Sequence, residues 1–363
     1  MFNLHTILII TMQKIIKIVF LLLAVFVSPL SLNATEAEKA KTDTTQELDI
    51  TTVIFDHILD SHEWHIMTLN EGKENEKHIV VPLPVILYDD GKIVTFMSSA
   101  FHHGGHNGYQ IGTGEYEGKI VRVDNEGNVI SVPLDFSITK NVFALFFSAL
   151  LLLLIFIPMA RKYSKNSNKA PSGMQAFLEP VVQFVIDDVI RPNVGEKRYF
   201  KYTPYLLTLF FFIFINNIIG LIPFFPFGAN LTGNIAVTLV LAVFTLLIVN
   251  FSGSKTYWKH IFFSPGVPVW LLPIMIPVEL IGILSKPFAL MVRLFANITA
   301  GHIIVLSLVS LIFIFKSIGI APVSIVFVLF MDLLELLVAV LQAYIFTLLT
   351  SLFIGMAVQE AEH

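Results

Sequence analysis

The chain has no cysteine among its 363 residues. This absence excludes disulfide bridges, thiolate metal sites and cysteine nucleophiles. The sequence also lacks the Gly-x-x-x-x-Gly-Lys-Ser/Thr and Gly-x-Gly-x-x-Gly loops, so it predicts no nucleotide site. Charged residues make up only 14% of the chain and the net charge is −4, which leaves no basic surface for binding nucleic acid.

Apolar residues, in contrast, make up 55% of the chain. A membrane span takes about 20 apolar helical residues, and the candidate runs are 142–160, 204–223, 235–251, 278–315 and 323–358. Segment 174–190 has apolar residues on one side at helical spacing and acidic residues elsewhere. The pattern predicts an all-α polytopic membrane protein with five transmembrane helices and one amphipathic helix along the interface.

The last two runs are too long for an upright crossing. Residues 278–315 would extend roughly 57 Å and residues 323–358 roughly 54 Å as helices, against a hydrocarbon core of about 30 Å. We therefore expect both helices to tilt steeply, bend or lie partly along the membrane. The short segment 316–322 between them predicts an antiparallel hairpin.

The first 34 residues have the three-part order of a secretory signal peptide. Lys14 and Lys17 precede the apolar stretch 18–27, and the small and polar segment 28–34 follows it. Met12 is an alternative start, and an uncleaved anchor helix is an alternative interpretation of the apolar stretch, although that stretch is shorter than a full span. In either case we expect the residues after position 34 to be exported.

Residues 35–138 are more polar than the rest and predict a separate exported domain. Short β-rich runs flank turn signals at 89–91 and 125–128, which predicts a small sheet with at least two hairpins. The Gly-rich loop 101–108 carries histidines that could ligate Zn²⁺ or Cu²⁺. No fourth ligand follows from the spacing, so a solvated loop without metal is the favoured interpretation. Deleting residues 65–135 is expected to spare ion translocation by the membrane domain, 139–363.

Basic residues predict which way the chain crosses the membrane. Clusters of lysine and arginine follow the first span at 161–169, and lysines with a histidine follow the third at 252–260. The positive-inside rule places both segments in the cytoplasm. The β-rich domain is then periplasmic, and the C-terminus is cytoplasmic.

Arg293 lies in the middle of the apolar segment 287–308. A membrane-centred arginine costs roughly 2.5–3.5 kcal/mol on insertion scales, and it cannot escape this cost by losing its proton. One interpretation is that its long stem lets it snorkel to the interface, since Lys286 lies only seven residues earlier. The other is that an ion pathway requires the charge.

Further polar residues accompany Arg293 on the two long helices. If Arg293 faces Gln342 across the hairpin, His302 and Glu335 come to one depth, where an imidazole and a carboxylate can exchange protons. Glu279 lies on the other side of Arg293, about 21 Å away along a helix. The layout indicates two half-paths separated by a fixed positive charge. Helix packing or capping remains an alternative for Asn297, Thr299, Asp332 and Gln342.

Residues 279–301 closely resemble subunit a of the F-type ATP synthase. Residues 341–353 are similar to the last helix of that family, and residues 216–223 are similar to its earlier Asn-x-x-x-x-Leu-Leu-Pro element. The resemblance covers about residues 140–363, with a short addition at 56–60. The β-rich domain has no counterpart in the minimal form of the family.

This resemblance implies a role for each polar position. Arg293 is similar to the essential arginine that faces the carboxylate of the rotating c ring. Asn297, His302, Glu335 and Gln342 fall where the family lines its outer half-channel, and Glu279 falls where it lines the inner one. Some relatives carry the acid at the position of His302 and the histidine at that of Glu335, so the order of proton transfer stays open.

The resemblance also implies the setting of the protein. It would be a stator subunit in the bacterial inner membrane, with the c-ring proteolipid, the stator stalk subunit b and the rest of the F1Fo complex as partners. It would need no cofactor and would catalyse no reaction by itself. One alternative is a stand-alone proton-coupled secondary transporter, although the inverted repeats of such proteins are not evident. Another is a non-conducting anchor for the histidine-containing domain.

Overall fold

The computed structural model describes residues 58–359 apart from 70–76, 104, 114–115, 117, 125, 166–170, 223–224, 264–267, 316–318 and 320. The expected signal peptide, residues 1–34, lies outside this range. So does the start of the expected exported domain.

The β-rich region consists of short antiparallel strands in three small sheets. In the first sheet, β1 (Glu63–Leu69) pairs with β2 (Lys77–Pro82). In the second, β3 (Pro84–Asp89) lies between β4 (Lys92–Met97) and β8 (Leu134–Asp135). In the third, β6 (Ile120–Val123) lies between β5 (Tyr109–Ile111) and β7 (Val129–Ser131). The two hairpins predicted at 89–91 and 125–128 are confirmed as β3–β4 and β6–β7. The pairing of β3 with β8, in which Leu87 lies opposite Asp135, connects residues too distant in sequence for local patterns to show.

Local sequence explains the β3–β4 hairpin and the break before it. Asp90 and Gly91 both have positive φ, 47° and 77°, as a two-residue hairpin turn requires. The β-rich run 78–88 looked continuous in sequence, but the chain changes sheet at Leu83, between two prolines. Because proline donates no backbone hydrogen bond, it interrupts a strand at that point.

The membrane region is helical. Its helices are α1 (Lys140–Lys165), α2 (Met174–Phe184), α3 (Tyr199–Leu221), α4 (Ile235–Phe251), α5 (Lys255–Phe262), α6 (Leu272–Ile314) and α7 (Ala321–Val358). In the described part of the chain, four helices are long and apolar enough to cross a membrane, or five if α4 and α5, bent by 101°, form one broken span. The protein is therefore a multi-pass membrane protein.

Burial separates the centre of the helix bundle from its open side. We compare the most apolar stretch of each helix. In α3, 67% of the residues of this stretch are buried, whereas only 6% are buried in that of α6 and 17% in that of α7. Helix α3 packs against α1 and α7, while α6 and α7 pack on each other. One face of the long hairpin is consequently left open in the isolated chain.

Helix α2 does not present all of its apolar residues to the bundle. It continues through a π-helical turn, Val185–Ile190, into a last turn, Arg191–Val194. Val182, Val185 and Val189 are buried, but Met174 and Phe177 are exposed. Because a π turn inserts an extra residue, the packed face differs from the one that regular helical spacing predicts.

The last turn after α2 packs closely against the end of α7. A methyl group at Gly355 would lie 2.0 Å from the carbonyl oxygen of Asn193, so glycine is required for this approach. Nearby, the Ser351 hydroxyl donates a hydrogen bond to the carbonyl of Val189. The end of α7 is thereby held against the first half of the membrane region.

We predict that Gly355→Ala lowers the amount and thermal stability of the membrane-inserted protein. The added methyl group must push the backbone of α7 away from that of Asn193. Overpacking of this kind costs about 1–3 kcal/mol. Gly282→Ala is the matched control, because no atom lies within 4 Å of the methyl group that it adds. Equal melting temperatures for the two variants in detergent would contradict the packing described here.

Candidate functional site in the long hairpin

The polar residues of α6 and α7 come together at one point. Nδ1 of His302 lies 3.2 Å from Oε1 of Glu335, close enough for an ion pair, although the two atoms are not aligned as a hydrogen bond. The Glu335 side chain is buried, with 5% of it exposed. An ionisable pair withdrawn from water in this way is expensive to maintain unless its members interact. The two residues that sequence analysis placed at one depth are therefore in contact.

A glycine makes this contact possible. A methyl group at Gly301 would lie 2.7 Å from Oε1, and 2.9 Å from Cδ, of Glu335. Helix α6 has no side chain at this position, so the carboxyl group can lie directly against its backbone. Sequence analysis did not identify Gly301 as a site residue. Its only local signal was its place beside His302 in a membrane helix, where small residues allow close helix approach.

The second ring nitrogen of His302 lies on the side of α3. A methyl group at Gly220 on α3 would lie 3.8 Å from Nε2 of His302 and 3.3 Å from the carbonyl oxygen of Ala229. Ala229 belongs to the α3–α4 loop, of which residues 225–234 are described. The imidazole thus lies between Glu335 on α7 and the region where Gly220 meets this loop.

Neutral polar groups connect the same elements. The Thr232 hydroxyl donates to Oδ1 of Asn217 at 2.7 Å, and Nδ2 of Asn217 donates to the carbonyl of Ala339 at 3.0 Å. The Thr299 hydroxyl donates to the carbonyl of Gly233 at 3.3 Å. These hydrogen bonds fix the α3–α4 loop to α3, α6 and α7. Sequence analysis proposed a helix-bridging bond for Thr299 but did not identify Asn217 or Thr232.

Arg293 lies on the open face of the hairpin. Its side chain is exposed, although Leu290 and Leu294 beside it are buried. It forms no hydrogen bond or ion pair with any residue that the structure describes. Asn297, one turn further along α6, is also exposed. The guanidinium group and this amide are therefore available to a group outside the chain.

Gln342 and Glu279 lie apart from the His302–Glu335 pair. Gln342 is buried on α7, and no hydrogen bond joins it to Arg293 in the described chain. Glu279 is half-buried on α6 and near enough to Tyr257 on α5 for its charge to act on the phenol. Tyr257 also lines a narrow cavity with Lys286 and Phe353. Glu279 is accordingly next to a crevice between helices, on the other side of Arg293 from His302.

Two described histidines of the β-rich region, His62 and His102, form separate pairs with carboxylates. Nε2 of His62 lies 2.7 Å from a carboxylate oxygen of Asp135, and Nε2 of His102 lies 2.8 Å from one of Glu63. Burial raises the pKa of Asp135, but the hydrogen bond and charge of His62, together with hydrogen bonds from Ser137, outweigh this and hold the pKa below its usual range. Among the described residues, no group of three or more His, Asp or Glu side chains could hold a metal ion.

Comparison with protein families separates the chain into the same two regions. A model of the family described as ATP synthase A chain matches residues 142–355, which include all the polar residues of the hairpin. A second model, described only as a domain of unknown function, matches residues 53–136. The β-rich region therefore has relatives of its own.

Individual relatives agree with the first match. ATP synthase subunit a of Chloroherpeton thalassium is 48% identical over 235 residues, which are 63% of this chain and 69% of the relative. ATP synthase subunit a 2 of Chlorobaculum tepidum is 48% identical over 235 residues, 63% of this chain and 65% of the relative. ATP synthase subunit a of Chlorobium phaeobacteroides is 48% identical over 236 residues, 63% and 68% of the two chains. The chain belongs to the ATP synthase subunit a family.

Proposed function

We propose that the protein is the stator subunit of an F-type ATP synthase that carries two proton half-channels against a rotating c ring. The observation that carries this proposal is the combination of a buried His302–Glu335 contact with an exposed arginine on the same long hairpin. Such a pair can accept and release protons, while the arginine cannot. The subunit itself catalyses no reaction; it couples proton flow to rotation.

Arg293 is the residue that we assign to the c ring. It lies 21 residues from each end of α6, which is about 31 Å along the helix and too far for its side chain to reach either end. A permanent positive charge there keeps a facing ring carboxylate ionised and prevents protons from leaking directly between the half-channels.

The outer half-channel uses His302 and Glu335. Because Nε2 lies on the side of Gly220 and Nδ1 lies beside Glu335, the imidazole can take up a proton at Nε2 and release one from Nδ1 to the carboxylate. We therefore place His302 before Glu335 on the way in. Asn297 and Gln342 line the path between the His302–Glu335 pair and Arg293.

The inner half-channel begins at Glu279. Its charge acts on Tyr257, which lines the crevice between α5, α6 and α7, and Glu279 lies one turn before Ile283 in the lining of this crevice. A proton leaving the ring carboxylate on this side of Arg293 would pass Glu279 on its way out. No cofactor takes part in either half-channel.

We assign the sidedness from the distribution of basic residues. The guanidinium group of Arg198 donates to the carbonyl of Val358, so it lies at the same end of the bundle as the C-terminal end of α7. Under the positive-inside rule this end is cytoplasmic. The β-rich domain, 35–138, adjoins the opposite end and is periplasmic, which a cleaved signal peptide at 1–34 would allow. The membrane is the bacterial inner membrane, and residues 139–363 form its ion-translocating domain.

Copurification tests the partners directly. We expect the solubilised protein to carry the small c-ring proteolipid, subunit b and the rest of the F1Fo complex. A stand-alone proton-coupled transporter or a simple anchor for the β-rich domain would be purified without them. Family membership does not favour either alternative.

We predict that Arg293→Ala abolishes ATP-driven acidification of inverted vesicles while the complex still assembles, because the charge has no structural partner among the described residues. Arg293→Lys should also fail to restore wild-type coupling, since lysine lacks the planar fork and can lose its proton when desolvated. Arg161→Ala, which removes an exposed arginine after the first span, is the matched control. Normal acidification in either Arg293 variant would refute the assignment.

We predict that Gly301→Ala strongly reduces proton flux through assembled enzyme. The methyl group would displace the carboxyl group of Glu335, because the three nearest atoms it would meet outside its own helix backbone all belong to that side chain. Flux through vesicles stripped of F1, normalised to the amount of assembled complex, measures the effect. Wild-type flux would show that the His302–Glu335 contact is not needed.

We predict that replacing either His302 or Glu335 by an apolar residue sharply lowers flux, since each change strands the other residue. The double exchange His302→Glu with Glu335→His retains one acid and one imidazole at this depth and should recover much of the loss. A coupling energy of at least about 0.5 kcal/mol in the double-mutant cycle would support direct interaction. Strictly additive losses would place the two residues in separate steps.

A further inference from the structure

The β-rich region is fixed to the membrane helices at their shared end. The carboxylate of Asp60 accepts hydrogen bonds from the backbone N–H of Asn141, at 3.0 Å, and from the Thr139 hydroxyl, at 2.8 Å. The carbonyl of Ser61 accepts a bond from the backbone N–H of Lys140 at 2.9 Å. These contacts satisfy donors at the start of α1 that have no partner within the helix. Strand β1 begins two residues later and so has a fixed position above the helices.

Trp64 on β1 extends this attachment to the α3–α4 loop. Its ring is 5% exposed and makes edge contacts with Phe143 of α1, at 5.7 Å between centroids, and with Phe225 of the loop, at 5.5 Å. Ala144 and Ala229 complete the cluster, and each is 1% exposed. An aromatic cluster of this kind holds its members through both buried area and ring geometry.

The loop that Trp64 contacts is the one that approaches the proton pair. Ala229 belongs to the same buried cluster as Trp64. Its carbonyl oxygen and Nε2 of His302 lie 3.3 Å and 3.8 Å from the position of a methyl group added at Gly220. Three residues further along the loop, Thr232 is bonded to Asn217 and through it to α7. One residue layer therefore separates the β-rich region from His302.

We propose that Trp64 is a positioning residue for proton uptake, and that the β-rich domain thereby forms part of the entrance to the outer half-channel. The ring holds the α3–α4 loop against α3, so that the loop sets the access of water to His302. This inference rests on the proposed function of the His302–Glu335 pair. Composition alone suggested that removal of the domain would spare translocation. This inference predicts instead that removal impairs it.

A single introduced thiol can report on the loop, because the chain has no cysteine of its own. Thr232 is suitable, since it is 1% exposed in this loop. All variants are compared with the Thr232→Cys parent, so the loss of the hydroxyl bond to Asn217 is common to them. In intact cells producing the full complex with Thr232→Cys, we expect slow labelling of this subunit by a membrane-impermeant maleimide. Adding Trp64→Ala should raise the labelling rate roughly tenfold or more, because loss of the ring lowers the free energy of local opening. Trp64→Phe should keep the rate near that of the parent.

Two further variants serve as controls. Phe225→Ala removes the loop side of the same contact and leaves β1 unchanged, so it should also raise the labelling rate. It tests the contact independently if the complex that carries Trp64→Ala does not assemble. Ile93→Ala is the matched negative control, since Ile93 is 71% exposed on the same β-rich domain and lies outside the Trp64 cluster. We expect its labelling to equal that of the parent.

Proton flux at several pH values gives the functional measurement. With Thr232 restored, Trp64→Ala should lower passive flux through F1-stripped vesicles and alter its pH dependence, because the hydration of His302 changes; Trp64→Phe should recover both. Unchanged labelling, flux and pH dependence in both Trp64→Ala and Phe225→Ala would overturn the inference. Arg293→Ala separates the two proposals. Normal coupling in that variant refutes the proposed function. Loss of coupling in Arg293→Ala, together with wild-type behaviour of both Trp64→Ala and Phe225→Ala, refutes only the role of Trp64.

Discussion

A carboxyl group and an imidazole meet between α6 and α7 in the membrane region, and the geometry of the hairpin depends on this contact. Glu335 can be buried there only because Gly301 has no side chain and because His302 lies 3.2 Å away. Either residue alone in an apolar environment would cost several kcal/mol. The site is thus made of two ionisable groups and the glycine that lets them meet.

The elements around this contact provide a rigid frame without adding charge. Asn217, Thr232 and Thr299 use their hydrogen bonds on backbone carbonyls and on one another. Because these groups are neutral and paired, they add no titratable group of their own beside His302 and Glu335. Arg293 differs from them in kind, since it is exposed on the open face of the hairpin and its charge is permanent.

The β-rich region changes the interpretation of the membrane domain. It is attached to α1 through Asp60 and to the α3–α4 loop through Trp64, and that loop reaches the surroundings of His302. A domain that composition marks as separate is therefore connected to the polar site through a short series of packed residues. The connection is one of packing and hydrogen bonding, with no charged residue of the domain at the site itself.

The sequence by itself determined the features that depend on local pattern: the apolar runs of the spans, the β3–β4 turn at Asp90 and Gly91, and the placement of a permanent charge at the middle of α6. Antiparallel spacing was enough to bring His302 and Glu335 to one depth. Only the tertiary structure decided which faces pack, as shown by the need for Gly301, the open side of Arg293 and the burial of Trp64. These outcomes depend on contacts between residues far apart in the chain, and neither periodicity nor hydropathy specifies how closely two distant backbones approach.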